Sequence, residues 1–165
     1  MTTTQDPQPS DIPDSRDTAL DRLEPLVGRW QVEASFAAGF FGPGTPAVKD
    51  RSGTTTFEWM KTKQFLVERS VIDNPMAPDA IVIIGLDRDG SFVRHHYDSR
   101  GVSRTYQMRL EGGVLHMWRM EPGFSQRYSG TFSADGNQIT GAWEKSADGV
   151  AWEHDFDLTY FRIDD

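Results

Sequence analysis

Apolar and polar residues alternate with a period of two along most of the chain from Val27 onward. In Val27–Phe36 the even positions from Trp30 are apolar and the odd positions are charged or polar, as in a strand with one buried face. Similar segments follow, separated by short stretches rich in Gly, Pro, Asn and Asp that are typical of turns. Alternation without any segment of helical period predicts about ten antiparallel strands joined mainly by hairpins.

The predicted strands occupy residues 27–36, 53–59, 64–72, 80–87, 91–98, 102–110, 114–121 and 124–133, followed by a hairpin within 139–163. The last strand is about a dozen residues long, roughly twice the usual length. A long strand needs a paired neighbour on each edge, because the unpaired backbone groups of a free edge promote aggregation. The simplest arrangement pairs it with the first strand. The sequence therefore predicts an all-β fold, a single up-and-down antiparallel β-barrel with a ligand-sized interior.

The N-terminal part differs from the rest in composition. Residues 1–16 are rich in Thr, Pro and Asp, and predict a disordered tail before a barrel domain of residues 17–165. A short helix is predicted between Asp17 and Leu26, with Asp17 as its N-cap and with Leu20 and Leu23 on one face. An amphipathic helix just before the first strand can plug one end of the barrel.

Composition and charge exclude several function classes. The 165 residues contain no cysteine, so disulfides, thiolate metal sites and a cysteine nucleophile are excluded, and a cytoplasmic location is expected. The net charge of −8 disfavours nucleic-acid and anionic membrane partners. No apolar run reaches the roughly 18 residues of a membrane-spanning helix. The sequence leaves open whether the chain forms a homodimer.

Strand parity places an unusual number of polar groups inside the predicted barrel. Buried polar groups need partners, so this pattern indicates a pocket that fixes one polar end of a ligand against an apolar tryptophan wall. The predicted ligand is small and largely apolar or aromatic, and Arg104 favours a carboxylate or phenolate end. A water-filled lumen or a purely stabilising polar network is the alternative. The candidate ligand-binding residues are Trp30, Trp59, His96, Arg104, Tyr106, His116, Trp118, Gln126, Tyr128, Trp143 and His154.

The sequence carries no recognised catalytic motif. It lacks a Gly-x-Ser-x-Gly nucleophile, a His-Glu-x-x-His zinc motif and a phosphate-binding glycine loop. Adjacent His95 and His96 point to opposite faces of a strand, so no metal site is predicted. An acid–base enzyme in the same lumen, such as an isomerase, cyclase or hydratase, remains an alternative. Its candidate groups are His116, His154, Tyr106 and Tyr128.

Three segments resemble a known group of barrels. The opening Leu26-Val27-Gly28-Arg29-Trp30 resembles the Gly-x-Trp opening of the calycins. The segment from Trp143 to Trp152 resembles the closing hairpin of bacterial lipocalin-like domains of unknown function. The segment Tyr97–Gly101, with Arg104 and Tyr106, is similar to the middle of the same group. The resemblance implies a ten-stranded barrel similar to nitrobindin and to the fatty-acid-binding proteins.

The same resemblance raises haem binding as a second alternative. Nitrobindin holds haem, and its opening reads Gly-x-Trp-x-Gly-x-Gly, with small residues where the cofactor approaches the wall. Here Val32 and Ala34 replace the last two glycines, so no cofactor is predicted. If haem were bound, His154 on the closing strand would be the expected axial ligand, because parity places it inside.

Overall fold

Ten antiparallel strands close into one barrel in the computed structural model, which describes residues 15–163. Each strand pairs with the next along the chain, and the tenth pairs with the first. The predicted all-β, up-and-down closed barrel is therefore confirmed. The predicted disordered tail lies outside the described residues, apart from Ser15 and Arg16.

The strands follow the predicted order, with small changes at their ends. Their bounds are β1 Gly28–Phe36, β2 Val48–Trp59, β3 Leu66–Ile72, β4 Ala80–Leu86, β5 Phe92–Asp98, β6 Ser103–Glu111, β7 Val114–Arg119, β8 Ser125–Phe132, β9 Gln138–Ser146 and β10 Glu153–Arg162. The largest difference is in β2, which begins at Val48 rather than at the predicted residue 53. A bulge between Asp50 and Gly53, opposite β1, allows this extension to stay paired.

The seam between β1 and β10 runs from Trp30 opposite Arg162 to Ser35 opposite Asp157. Arg162 strengthens the seam at one end. Its guanidinium donates to the carbonyl oxygens of Val27 and Pro25, at 2.7 Å each, and lies 4.1 Å from the centre of the Trp30 ring. This pairing joins the two edges of the sheet, so the closed barrel has no long free edge that could pair with another chain.

A short 3₁₀ helix, Thr18–Leu26, plugs the end of the barrel where β1 begins, as predicted. The Asp17 side chain caps it by accepting from the Ala19 N–H at 2.8 Å. A 3₁₀ helix has three residues per turn, which places Leu20, Leu23 and Leu26 on one face, and all three are buried. No helix within residues 15–163 is long and apolar enough to cross a membrane.

The half of the barrel next to this helix, called here the closed half, is filled by side chains. Its core residues include Leu26, Trp30, Phe57, Leu66, Ile84, Phe92, Met108, Leu115, Met117 and Ile139. The cavity among them measures only about 10 Å³, which is space for a single water. The closed half is therefore a packed core, and any larger ligand must enter from the other end.

Two glycines in neighbouring strands make room for a tyrosine ring. Tyr128 is 1% exposed, and its hydroxyl donates to the Leu158 carbonyl at 3.1 Å, which holds the ring across Gly130 and Gly141. A Cβ on Gly141 would overlap the Ser129 carbonyl oxygen and would lie 2.6 Å from the Tyr128 hydroxyl. These glycines thus allow a large side chain to lie flat against the sheet.

We expect Gly141→Ala to lower the free energy of unfolding by about 1–3 kcal/mol, because the new methyl group overlaps a backbone oxygen that cannot move away easily. Urea denaturation measures the loss. The control is Gly53→Ala, whose Cβ would meet the Val32 side chain at 3.3 Å and no backbone atom closer than 3.6 Å. Equal losses in the two variants would contradict the assigned role of Gly141.

Candidate ligand-binding site in the open half

The half of the barrel away from the helix, called here the cup, contains inward side chains that solvent still reaches. Closed-half residues such as Trp30, Leu66 and Ile84 are 0% exposed, whereas inward residues of the cup are mostly only half-buried. The cup is therefore an opening in the barrel rather than a packed core. Its lining residues include Val32, Ala34, His96, Arg104, Tyr106, Gln126, Trp143, Phe156 and Leu158.

A hydrogen-bonded polar group lies on one wall of the cup. The Gln126 amide oxygen accepts from the Tyr106 hydroxyl at 2.8 Å and from the Arg104 guanidinium at 3.1 Å. Tyr106 and Gln126 are buried, while Arg104 is partly exposed and lies 5.4 Å from the Phe124 ring at the rim. Within residues 15–163, Arg104 forms no ion pair with a carboxylate, so its charge faces the cup with donors to spare.

His96 lies directly opposite Arg104 on the neighbouring strand. Its side chain is 25% exposed, and its Nε2 is 3.5 Å from Asp98 Oδ2. Burial lowers the pKa of His96 below its usual value, and the positive charge of Arg94 lowers it further. Arg100 holds the pKa of Asp98 well below its usual range through hydrogen bonds to the carboxylate. Near neutral pH the cup thus combines a charged Arg104 with an uncharged His96.

We expect His96 to make the protein less stable in mild acid. Because its pKa is lower in the folded state than in the unfolded state, the unfolded chain binds more protons between the two values. The free energy of unfolding therefore falls as the pH drops below about 6.5, the unfolded value, toward the folded-state pKa. Urea denaturation across this range should show a smaller decrease for His96→Gln. His95→Gln is the control, since His95 lies on the outer face, and an equal effect there would contradict the assignment.

The floor of the cup is a layer of buried polar side chains. Glu68 on β3 and Arg94 on β5 form an ion pair in which each side chain is only 7% exposed. Burial alone would lower the pKa of Arg94, but the Glu68 carboxylate raises it above its usual value. Burial also raises the pKa of Tyr160, on the opposite wall, and that of Tyr128. Neither Glu68 nor Arg94 was predicted as a site residue.

The rim of the cup carries exposed apolar side chains. The Phe36 ring, at the end of β1, lies 4.7 Å from Phe40, 5.0 Å from Phe41 and 5.0 Å from Phe156, measured between ring centres. These contacts place Phe40 and Phe41 at the mouth of the cup. Exposed apolar residues in the loops at this end are Phe40, Phe41, Met76, Met120, Phe124 and Val150. Such a concentration is typical of an entrance or contact surface for apolar molecules.

Six of the predicted residues come together in the cup or at its floor: His96, Arg104, Tyr106, Gln126, Tyr128 and Trp143. Ring contacts connect several of them. The Trp143 ring centre lies 5.8 Å from Tyr106 and 5.4 Å from Tyr128, and the Tyr106 ring lies 6.3 Å from His96. Parity from the sequence placed these residues correctly, since their strands alternate regularly.

The predicted inward orientation of His116 and Trp118 is wrong. Leu115 and Met117 fill the interior instead, and the two predicted residues line a shallow outer groove of about 520 Å³ with Arg109, Arg127 and Glu144. The reason lies in the turn before β7. Gly112 and Gly113 both have positive φ, and their two-residue turn sets Leu110 opposite Leu115. Because Leu110 points inward, Leu115 does too. The Gly112-Gly113 turn that fixes this register is visible in the sequence.

The predicted inward orientation of His154 is also wrong. A bulge between His154 and Phe156 shifts the alternation of β10 by one residue. Phe156, Leu158 and Tyr160 therefore face inward, but His154 lies outside, with its Nε2 2.8 Å from Asp157 Oδ1. A histidine on the outer surface cannot hold a haem inside the barrel, so the residue named for that role does not fit it.

Trp30 and Trp59 point inward, but both lie at the closed end. Trp30 is fully buried, and its Nε1 donates to the Leu26 carbonyl at 2.8 Å. The Trp59 Nε1 donates to Glu24 of the helix at 2.9 Å. Both rings thus fasten the helix to the barrel, and the packed core separates them from the cup. Of the predicted tryptophan wall, only Trp143 lines the cup.

The same fold occurs in a solved structure. The crystal structure of Rv2717c from M. tuberculosis aligns with this chain at a TM-score of 0.63 and 14% sequence identity, covering 91% of this chain and 100% of that one. At this identity the likeness establishes the fold alone. No protein-family model matches the sequence, and no curated protein matches it either.

Proposed function

We propose that the protein binds a small, largely apolar or aromatic molecule with a carboxylate or phenolate end in the cup. The observation that carries this proposal is Arg104, a partly exposed cation on the wall of the cup, which donates to Gln126 and forms no ion pair with a carboxylate among residues 15–163. A cation placed in this way lacks a stabilising counter-ion, and the anionic end of a ligand would supply one. The calycin-like resemblance of the sequence supports the same proposal.

The surroundings of Arg104 select the rest of the ligand. Trp143, Phe156 and Leu158 provide an apolar and aromatic wall, and the rim phenylalanines continue it to the mouth. A guanidinium binds two oxygen atoms side by side, which suits a carboxylate. An aromatic body gains further stabilisation from edge or stacked contacts with the rings of the wall. The combination favours an aromatic acid over a neutral or cationic molecule.

The test is isothermal titration calorimetry with naphthoate and with its neutral analogue naphthamide. We expect wild-type protein to prefer naphthoate, and Arg104→Leu to weaken naphthoate binding by a factor of about 10–100, the value of a charge-assisted hydrogen-bonded pair. The matched control is Arg109→Leu, on the same strand but on the outer face, with 54% of its side chain exposed. Equal affinity for acid and amide, or no effect of Arg104→Leu, would contradict the proposal.

The acid–base enzyme alternative loses two of its four candidate groups, because His116 and His154 lie outside the barrel. The Tyr128 hydroxyl is buried against the Leu158 carbonyl, and burial raises its pKa, which disfavours proton transfer near neutral pH. Tyr106 remains in the cup. No contact in the described residues gives catalysis preference over binding, so binding is the function that the geometry favours.

A further inference from the structure

We infer that the buried layer formed by Glu68, Arg94, Tyr128 and Tyr160 is a floor that limits the length of the ligand. The cup would then accept compact aromatic acids of one or two rings and exclude long-chain fatty acids. This inference rests on the proposed function and concerns the class of ligand that the same site takes. It assigns a role in specificity to residues that do not touch Arg104.

The floor closes the lumen from opposite walls. In the closed ring of ten strands, β5 and β10 are five strands apart in either direction, so Arg94 and Tyr160 start from opposite sides. Both nevertheless line the same water-sized cavity of about 10 Å³, together with Glu68. Their side chains therefore meet across the barrel. A cavity of this size holds no more than a single water, so an alkyl chain cannot pass between these side chains.

The depth of the cup follows from strand geometry. Arg94 lies four residues below Asp98, the last residue of β5, and Glu68 lies four residues below Ile72, the last residue of β3. At about 3.3 Å per residue and a strand tilt of about 40°, four residues correspond to a depth of about 10 Å. A naphthalene ring system with its carboxylate fits such a depth, whereas an extended hexadecanoate chain is far longer.

The nature of the floor adds a chemical barrier to the steric one. An alkyl chain long enough to reach Glu68 and Arg94 would have to separate a buried ion pair or lie against it without compensation. The same cost does not apply to a ligand that ends above the layer. We therefore expect affinity to fall steeply once the ligand is long enough to reach this layer, rather than to decline gradually with each added carbon.

The experiment is a calorimetric series on the wild-type protein with benzoate, naphthoate, hexanoate, decanoate and hexadecanoate. We expect naphthoate to bind best and hexadecanoate to bind at least about tenfold more weakly. Hexadecanoate binding as tightly as naphthoate would overturn the floor while leaving the proposed function intact. Failure of every acid to bind would overturn the proposed function, and this inference with it.

Two variants test the floor from both directions. Glu68→Ala/Arg94→Ala removes the ion pair and deepens the cup, so decanoate affinity should rise about tenfold while that of benzoate stays unchanged. Ala34→Leu fills the wall above the floor, so naphthoate should weaken while benzoate still binds. If the double variant does not fold, the wild-type series still tests whether the floor excludes long chains. A double variant that folds but gains nothing for decanoate would contradict the inference.

Discussion

Replacement of Glu68 by leucine is expected to lower the free energy of unfolding by about 3–5 kcal/mol, because it leaves the Arg94 charge buried and unpaired. Only 7% of the Arg94 side chain is exposed, so water cannot solvate the guanidinium in place of the lost carboxylate. Within residues 15–163 its Nε already lacks a partner, so the ion pair with Glu68 is the main compensation for its burial. Guanidinium chloride denaturation measures the loss.

The control for this prediction replaces both partners. Glu68→Leu/Arg94→Met removes the two charges together and fills similar volume with apolar side chains, so its stability should return close to the wild-type value or exceed it. Glu144→Leu removes one partner of an exposed pair, with Arg127, and should cost no more than about 1 kcal/mol. A double variant as unstable as the single one would show that the pair acts through something other than charge compensation.

Trp30→Ala is expected to cost about 3–5 kcal/mol of stability, because it removes the largest fully buried side chain of the closed half. The indole packs edge-on against Phe132 and Tyr160, donates to the Leu26 carbonyl and carries the Arg162 guanidinium on its face. Its loss therefore loosens the helix plug and the β1–β10 seam together. Thermal unfolding followed by circular dichroism measures the effect.

Trp118→Ala provides the comparison, since Trp118 lies on the outer face with Arg109 about 6 Å from its ring centre. Its removal should change stability by less than about 1 kcal/mol. Trp30→Phe should retain most of the packing but lose the hydrogen bond to Leu26. If the alanine variants at both positions lose similar stability, the closed half does not depend on Trp30 as described.

The fold was predictable from the sequence because its determinants are local. Period-two alternation and glycine-containing turns specify strands and hairpins whatever lies inside the barrel. The closing of β10 against β1 followed from the length of β10 and the cost of leaving its edges free. The helix plug was equally visible, because Asp17 caps a short segment that has Leu20 and Leu23 on one face.

The site was only partly predictable, because buried polar residues and bulges decide which face of a strand points inward, and the alternation of apolar and polar residues does not show them. In β3 the outward Val67 and Val71 are apolar while the inward Glu68 and Ser70 are polar, so hydrophobicity alone does not identify the inward face. In β10 one extra residue at the bulge moved His154 outside. Glu68 and Arg94 satisfy each other across β4, and such a pairing is apparent only when the barrel is assembled.

The seam between β1 and β10 has a consequence for biosynthesis. The bond from Arg162 to the Val27 carbonyl joins groups 135 residues apart, so the ring of strands cannot close until β10 has left the ribosome. Until then β1 and β9 are open edges able to pair with strands of another nascent chain. Non-local closure of this kind also slows folding. Each newly made molecule is therefore able to aggregate through these edges until its tenth strand has emerged from the ribosome.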